Sequence, residues 1–263
     1  MSEAVAIADR FLSARRAAAG LDGYPGTLPS SLDDAYAVQD AAIARWGKRV
    51  VGWKVGRIMP PLDAQFGMDR LTGPIFASID AADGSVPAMP VFASGFAAGE
   101  AEFLLRIGAT PPADKTEYSL DEAADLIDAV HVGIEVASSP LGAINRIGPM
   151  AVISDFGNNN GMVIGPAIAD WRTSGFEAWD VVTLVDGAQV GTGRASAFPN
   201  GAIGAAAFLF GLMARRGIVL RPGQWISSGA VTGIHDAAPG QTVEARFDDR
   251  YSVSCRLTEV QPQ

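Results

Sequence analysis

The sequence predicts an α+β protein: a mixed β-roll or sandwich preceded by an N-terminal helical region. Apolar residues recur at helical spacing over the first fifty positions. From Val50 onward the pattern changes to short apolar runs separated by Gly, Pro and Asp. Few helical stretches interrupt those runs, which argues against a doubly wound parallel sheet, where a helix would follow each strand. With 263 residues, 48% hydrophobic and 19% charged, the chain can bury a sizeable core and is not a disordered one.

The helical region is expected over residues 1–50. Ala4, Ile7, Ala8, Phe11 and Leu12 share a helical face, and Gly20 closes that run. Pro25 and Pro29 mark a connector. Ser31, with Asp34 three residues later, resembles a capping box ahead of a helix through Tyr36, Val38, Ala42 and Ile43 to Trp46. These helices carry no obvious chemistry and read as a cap or an oligomer contact. Residues 51–263 then form a second region. Strands are expected at 51–56, 100–107, 132–137, 162–164, 181–185, 225–227, 243–247 and 251–257, with helices at 120–130 and 202–216. Cys255 alternates with Val253 and Leu257, as on the buried face of a strand.

Composition removes several function classes. The 20 Lys+Arg against 29 Asp+Glu give a formal charge of −9, and no basic cluster exceeds the pair Arg215-Arg216. A phosphate backbone needs a local cationic excess, so nucleic acid is not the expected partner. A single cysteine excludes a disulfide framework and Cys-based zinc or iron–sulfur sites. The two histidines, His131 and His235, come with neither a G-x-S-x-G elbow nor an H-E-x-x-H pair. A metal here would rest on carboxylates, which suit a hard ion such as Mg²⁺ or Mn²⁺. The N-terminus carries Glu3, Asp9 and Arg10, unlike an apolar signal peptide, and the apolar stretch 201–214 is shorter than the ~20 residues that span a bilayer. A cytoplasmic protein without a membrane partner is expected.

The sharpest local feature is the run Gly99-Glu100-Ala101-Glu102-Phe103-Leu104-Leu105-Arg106-Ile107. In a strand Glu100 and Glu102 point to the same face, ~7 Å apart. Such a pair is either a solvated strand face or half of a cation site. Glu135 sits among Ile134, Val136 and Ala137, where a carboxylate is costly to bury unless paired or bound to metal. Lys54, between Trp53 and Val55, reads as an ion-pair partner of those acids, as a general acid/base, or as both. His131 would lie ~13 Å from Glu135 along a strand, too far to share an ion, and reads as a helix C-terminal or supporting residue. The amide-rich turn Asp155-Phe156-Gly157-Asn158-Asn159-Asn160-Gly161 and the run Ser227-Ser228-Gly229-Ala230-Val231-Thr232-Gly233 are either plain turns or donor arrays for a ligand oxygen.

Taken together, Gly52-Trp53-Lys54-Val55-Gly56, the E-x-E strand, the Ile134-Glu135 strand, Asn159-Asn160-Gly161 with Val163-Ile164-Gly165, and Arg221-Pro222-Gly223 through Ser228-Gly229 resemble the fumarylacetoacetate hydrolase superfamily. Within it they resemble the 2-keto-4-pentenoate hydratase group. The order and spacing fit from Lys54 to Leu257. The resemblance implies a β-roll catalytic domain over 51–263 and a Mg²⁺ or Mn²⁺ site on Glu100, Glu102 and Glu135. It implies catalytic roles for Lys54 and Asp155, and substrate contacts from Asn159, Asn160, Gly161, Ser228 and Thr232.

The substrate it implies is a 2-oxo or 2-hydroxydienoic acid that chelates the metal, hydrated to a 4-hydroxy-2-oxo acid in a catabolic pathway. The chain departs from the hydratase pattern twice. Phe156-Gly157 stands where the group has Asp-Asn, and Gly73-Pro74-Ile75-Phe76-Ala77-Ser78 lacks the acid that tends to follow this segment. Both departures remove candidates for water activation. Decarboxylation of a 2-oxo diacid, hydrolytic C–C cleavage of an acylpyruvate, or a non-catalytic partner-subunit role are the alternatives. The scarcity of histidines weakens the hydrolase reading. Arg57, Arg70 and Arg146 are candidates for contacting a distal carboxylate, and a homo-oligomer is expected from the apolar segments and N-terminal helices.

Overall fold

The computed structural model describes residues 2–263. Two helices come first, α1 (Glu3–Ala17) and α2 (Leu32–Trp46). Each is capped as short polar side chains dictate: Ser2 Oγ accepts from Val5 N, and Ser31 Oγ accepts from Asp34 N. Each ends in a left-handed residue, Ala18 and Gly47. Their buried faces carry Ile7, Ala8, Phe11 and Leu12 from α1 and Val38 and Ala42 from α2, the positions given by the helical spacing.

The remainder forms two mixed sheets. The strands are β1 (Gly52–Arg57), β2 (Arg70–Ile75), β3 (Ser78–Asp80), β4 (Ala88–Val91), β5 (Phe96–Ile107), β6 (Ile127–Ser139), β7 (Asn159–Ala167), β8 (Val181–Val185), β9 (Ala188–Gly193), β10 (Trp225–Ser227), β11 (Thr242–Phe247) and β12 (Tyr251–Glu259). The larger sheet runs β2-β1-β10-β5-β6-β7-β3 and the smaller β4-β12-β11-β8-β9. Parallel pairs (β1–β10, β3–β7, β12–β4) interrupt otherwise antiparallel ladders, so the α+β expectation with a mixed β-roll holds.

One core fills the space between the sheets. Phe103 of β5 meets Phe176 edge-on with ring centroids 4.9 Å apart and Phe247 at 5.2 Å. Cys255 is buried between Val253 and Leu257, as its alternation implied. The apolar stretch near 201–214 is a helix, Gly201–Arg215, which buries Ala205, Ala206, Leu209, Phe210 and Met213 against this core. Among the described residues no helix is long and apolar enough to cross a membrane.

The structure corrects the expected helix at 120–130. That helix, Leu120–Asp125, is only six residues long, with a full capping box between Ser119 and Glu122. From Ile127 the chain is already in β6, where Ile127, Val130 and Val132 bury in the core. Pairing with the twelve-residue β5 overrides the local helical pattern there. His131 is therefore a strand residue and not a helix C-terminus. One of its ring nitrogens, Nδ1, lies 2.8 Å from Gly165 O, and its ring meets Trp225 edge-on.

Candidate active site

The β5–β6 ladder sets the site. Glu100 pairs in register with Glu135, and Glu102 with Gly133, so the three glutamates occupy adjoining positions on two neighbouring central strands. Glu102 and Glu135 are 0% exposed and Glu100 is 2% exposed. One carboxylate oxygen from each lies within 4.8 Å of the others.

Parallel pairing of β1 with β10 and antiparallel pairing of β10 with β5 bring the lysine strand to the same place. Lys54 Nζ lies 3.1 Å from Glu135 Oε2, an ion pair whose angles fall short of a hydrogen bond. Glu102 and Glu135 are held by fixed hydrogen bonds. Glu102 Oε2 accepts hydrogen bonds from Ser227 Oγ and from Gly229 N. Glu135 Oε1 accepts from Asn159 Nδ2 at 2.8 Å. Glu100 Oε1, Glu102 Oε1 and Glu135 Oε2 have no hydrogen-bond partner although all three atoms are buried.

Three carboxylates around one lysine leave an excess of buried negative charge, and electrostatics responds to it. Burial pushes Glu100 up to about 7, with Lys54 pulling it down and Glu135 adding to the rise. Glu102 is pushed well above its ordinary value by burial first, then by Glu135 and Glu100. Burial works against the charge on Lys54, yet Glu135, Glu100 and Glu102 overcome it and hold the ammonium above its usual pKa. Three buried carboxylates, each with one oxygen within 4.8 Å of the others, form a hard donor set that a divalent cation fits.

A cavity of about 700 Å³ opens over this cluster, lined by Lys54, Glu100 and Glu102 and by polar groups that include Asn158, Ser228 and Thr232. Access to Lys54 depends on two glycines. Gly73 is the cross-strand partner of Lys54, and a Cβ there would lie 2.2 Å from Phe156 O. At Gly157 φ is 67°, and a Cβ would meet Gly73 Cα at 2.9 Å and Lys54 Cδ at 3.1 Å. The turn therefore seats directly on β2 beside the lysine. Phe156 and Asn158 share its left-handed backbone (φ 57° and 65°), which for a bulky residue such as Phe costs ~1–3 kcal/mol and persists only under strong packing. Packing is supplied by the Phe76 ring at 4.8 Å and the Arg15 guanidinium at 5.1 Å.

The expected site residues divide into two groups. Glu100, Glu102, Glu135 and Lys54 converge, and Ser228 and Thr232 line the cavity. Asp155 does not. It is 1% exposed and held by Arg15 of α1, with Nε–Oδ1 at 2.6 Å and Nη2–Oδ2 at 3.0 Å, while Ser139 Oγ donates to Oδ2. That bidentate pair places Asp155 in a clamp behind the turn and outside the cavity lining. Asn159, Asn160 and Gly161 also stay behind the wall. Asn159 supports Glu135, Asn160 Nδ2 donates to Pro90 O, and Gly161 packs against Met89. Of the turn's amides Asn158 lines the cavity; its Nδ2 donates to Asn145, another lining residue, at 3.3 Å, and its Oδ1 is buried and unpartnered. Arg15 carried no sequence signal beyond its place in the last turn of α1. Its guanidinium also donates to Ser138 O, Asn159 O and Asn160 Oδ1, so it ties α1 to both strands that flank the site.

No family model matches the sequence. The chain is 29% identical over 217 residues to a 2-keto-4-pentenoate hydratase of Burkholderia vietnamiensis, an alignment covering 81% of this chain and 80% of the relative. It superposes on the 4-oxalocrotonate decarboxylase of Pseudomonas putida G7 with a TM-score of 0.78 at 23% identity, over 97% of each chain. That decarboxylase is known in complexes with calcium and acetate and with magnesium and adipate. A fumarylpyruvate hydrolase from Pseudomonas aeruginosa, in complex with Mn²⁺ and pyruvate, superposes with a TM-score of 0.58 at 19% identity, over 81% of this chain and 91% of its own. These likenesses show that the chain shares the fold of these enzymes. The buried Glu100–Glu102–Glu135 cluster is a set that could hold a metal ion.

Proposed function

We propose that the protein is a metal-dependent hydratase of a 2-hydroxy-2,4-dienoate, with Glu100, Glu102 and Glu135 as metal ligands and Lys54 as the proton carrier. The observation that carries this reading is the convergence of three buried carboxylates beside the Lys54 ammonium, with Lys54, Glu100 and Glu102 lining the cavity. The hydratase relatives support the reaction class. When bound, Mg²⁺ or Mn²⁺ would supply Lewis acidity to a chelating 1-carboxylate and 2-oxygen and offset the charge of the acids.

Lys54 then has one task, to deliver a proton to C5 of the dienol while the C2 hydroxyl loses its own. The product of that step is the 2-oxo-3-enoate, with C3=C4 conjugated to the C2 carbonyl. Water adds across it, hydroxyl to C4 and hydrogen to C3. Asn158 lines the cavity, and its amide, with no hydrogen-bond partner at Oδ1, is the group assigned here to orient that water. Ser228 and Thr232 offer hydroxyls to the substrate from the opposite run.

Decarboxylation of a 2-oxo diacid is the second reading, favoured by one observation. The only acids on the cavity wall among the described residues are Glu100 and Glu102, both in the metal cluster, so no carboxylate stands free to activate water. Hydrolytic cleavage is weakened further, since neither His131 nor His235 lines the cavity. Incubation with MnCl₂ and 2-hydroxypenta-2,4-dienoate, following dienol absorbance with product analysis, tests the proposal. Appearance of 4-hydroxy-2-oxopentanoate supports it. No turnover despite metal-dependent oxalate binding would redirect the reaction, and absence of metal binding would overturn the reading.

A further inference from the structure

No residue of α2 lines the cavity, yet this helix closes the open sheet edge beside the lysine. β2 is the outermost strand of the larger sheet, so its outward main-chain groups have no ladder partner. At Thr72 two α2 side chains take them. Thr72 N donates to Tyr36 Oη at 3.1 Å, and Thr72 O accepts from Gln39 Nε2 at 2.9 Å. Tyr36 and Gln39 are three residues apart and share one helix face. Thr72 adjoins Gly73, the cross-strand partner of Lys54, and its Oγ1 donates to Lys54 O at 2.7 Å.

Gln39 also reaches a second segment. The same Nε2 donates to Ile153 O at 2.9 Å, near the end of the short helix Pro149–Ser154. Its Oε1 accepts from Arg216 Nη2 at 3.0 Å, so both ends of the amide are engaged. The amide can point only this way, because carbonyls accept and a guanidinium donates. Arg216 is itself held, by Asp40 Oδ1 at 2.6 Å and over the Tyr36 ring at 4.2 Å. Gln39, Thr72 and Ile153 are all buried, so losing the Nε2 donor would strand two carbonyls away from water.

Those two carbonyls belong to the two segments that meet beside the lysine. Thr72 precedes the glycine on which Phe156 O and Gly157 N seat, and the helix ending at Ser154 leads into that turn. Lys54 is fixed separately, because β1 is paired with β2 on one side and β10 on the other. The left-handed backbone of Phe156 and Asn158 needs its surroundings to hold it. We infer that Gln39 is a positioning residue: one buried amide braces β2 against the helix before the turn and thereby fixes Asn158 relative to Lys54. This rests on the roles proposed for those two residues and adds the group that sets their spacing. Gln39 touches no substrate and moves no proton.

Two measurements on the full chain test the brace: amide hydrogen exchange read by mass spectrometry, and turnover of 2-hydroxypenta-2,4-dienoate with MnCl₂ in D₂O. Gln39→Met keeps the bulk, and Gln39→Glu keeps the shape and the Arg216 contact, but both lose the donor. In each, amide exchange over 70–75 and 152–158 should rise at least about tenfold, the scale of a lost buried hydrogen bond, while β8, β11 and β12 stay within about twofold. The ratio of deuterium at C5 of recovered substrate to hydrated product should rise at least about tenfold, because Lys54 stays in place and Asn158 does not. A defect that merely lowers the folded fraction reduces both quantities together and leaves that ratio unchanged. Tyr36→Phe opens the same sheet edge without touching Ile153, and should raise amide exchange at 70–75 alone with the ratio unaltered.

Amide exchange that rises evenly over the chain, no rise at 152–158, or an unchanged ratio in a Gln39 variant that turns over would overturn the brace. Should both Gln39 variants fail to fold, Arg216→Leu, which frees only the amide oxygen, carries the test. It should raise amide exchange in both segments at least about threefold, and no rise would overturn the inference. Wild type that hydrates nothing, alongside the expected exchange pattern in the variants, supports the brace and overturns the hydratase reading alone. Hydration by wild type with no change of exchange in the variants does the reverse.

Discussion

Glu100 on β5 stands opposite Glu135 on β6, two buried carboxylates in register across an antiparallel ladder. Such a pair is unfavourable when both are ionised, and Lys54 supplies only one positive charge against three acids. The arrangement makes sense only if protons or a cation complete the neutralisation.

Stability should therefore respond to pH and metal together. In an unfolded chain glutamate titrates near ~4.3. In the folded, metal-free protein burial raises Glu100 to about 7 and Glu102 well above its ordinary value. The folded state holds more protons in that window, so this stability is complete below the unfolded pKa and lost as pH rises through the folded one. With EDTA, Tm should fall between about pH 5 and 8. The increment from MnCl₂ should grow over the same range. A metal increment that is flat with pH would contradict the coupling.

Glu102→Gln keeps an oxygen to accept from Ser227 and Gly229 while removing the charge. Metal-dependent turnover should drop by more than about 100-fold, the fold should persist, and metal-free Tm at pH 8 should not fall. Activity assays and thermal melts check both halves. Unchanged turnover would remove Glu102 from the ligand set.

Lys54→Met should leave Mn²⁺ binding within about tenfold and slow deuterium incorporation from D₂O at the substrate's C5 by about 10²–10⁴. Proton NMR of the recovered substrate reads this directly. Asn158→Gly, which tolerates the left-handed backbone at that position, should spare deuterium incorporation and depress hydration. Loss of both steps together would assign Asn158 to substrate binding and not to water.

The Arg15–Asp155 clamp is the strongest candidate for a single ion pair that the fold depends on. Both side chains are buried and the bond is bidentate. Arg15→Ala leaves a buried carboxylate uncompensated and should cost about 3–5 kcal/mol in urea unfolding. Arg15→Lys should recover only part, because an ammonium cannot bridge both oxygens. Recovery by Arg15→Met combined with Asp155→Asn would show that charge, not packing, sets the loss.

The glutamates were legible because strand alternation puts Glu100 and Glu102 on one face, and because an acid among Ile134, Val136 and Ala137 demands a partner. Lys54 was legible for the same reason. Their convergence was not, since it depends on the β5–β6 and β1–β10 registers, which join segments far apart in the chain. The family resemblance implies ligand-facing roles for Asp155 and for Asn159 to Gly161, while the residues of the turn alone leave that open. The backbone inverts at Phe156, Gly157 and Asn158, so Asn158 faces the cavity and its neighbours face the core. Arg15 was missed because an arginine in a last helical turn is ordinarily a solvated, dipole-favoured residue. Here α1 lies against β6 and β7, and the side chain points inward.

The central claim is a divalent cation on three glutamates that serves as the head-group site for a 2-oxo acid. Calorimetric titration of Mn²⁺, followed by oxalate, into wild type and Glu102→Gln tests it most directly. One Mn²⁺ per chain, oxalate binding only once Mn²⁺ is present, and loss of both in the variant are expected. Oxalate binding without metal, or equal Mn²⁺ affinity in the two proteins, would contradict it.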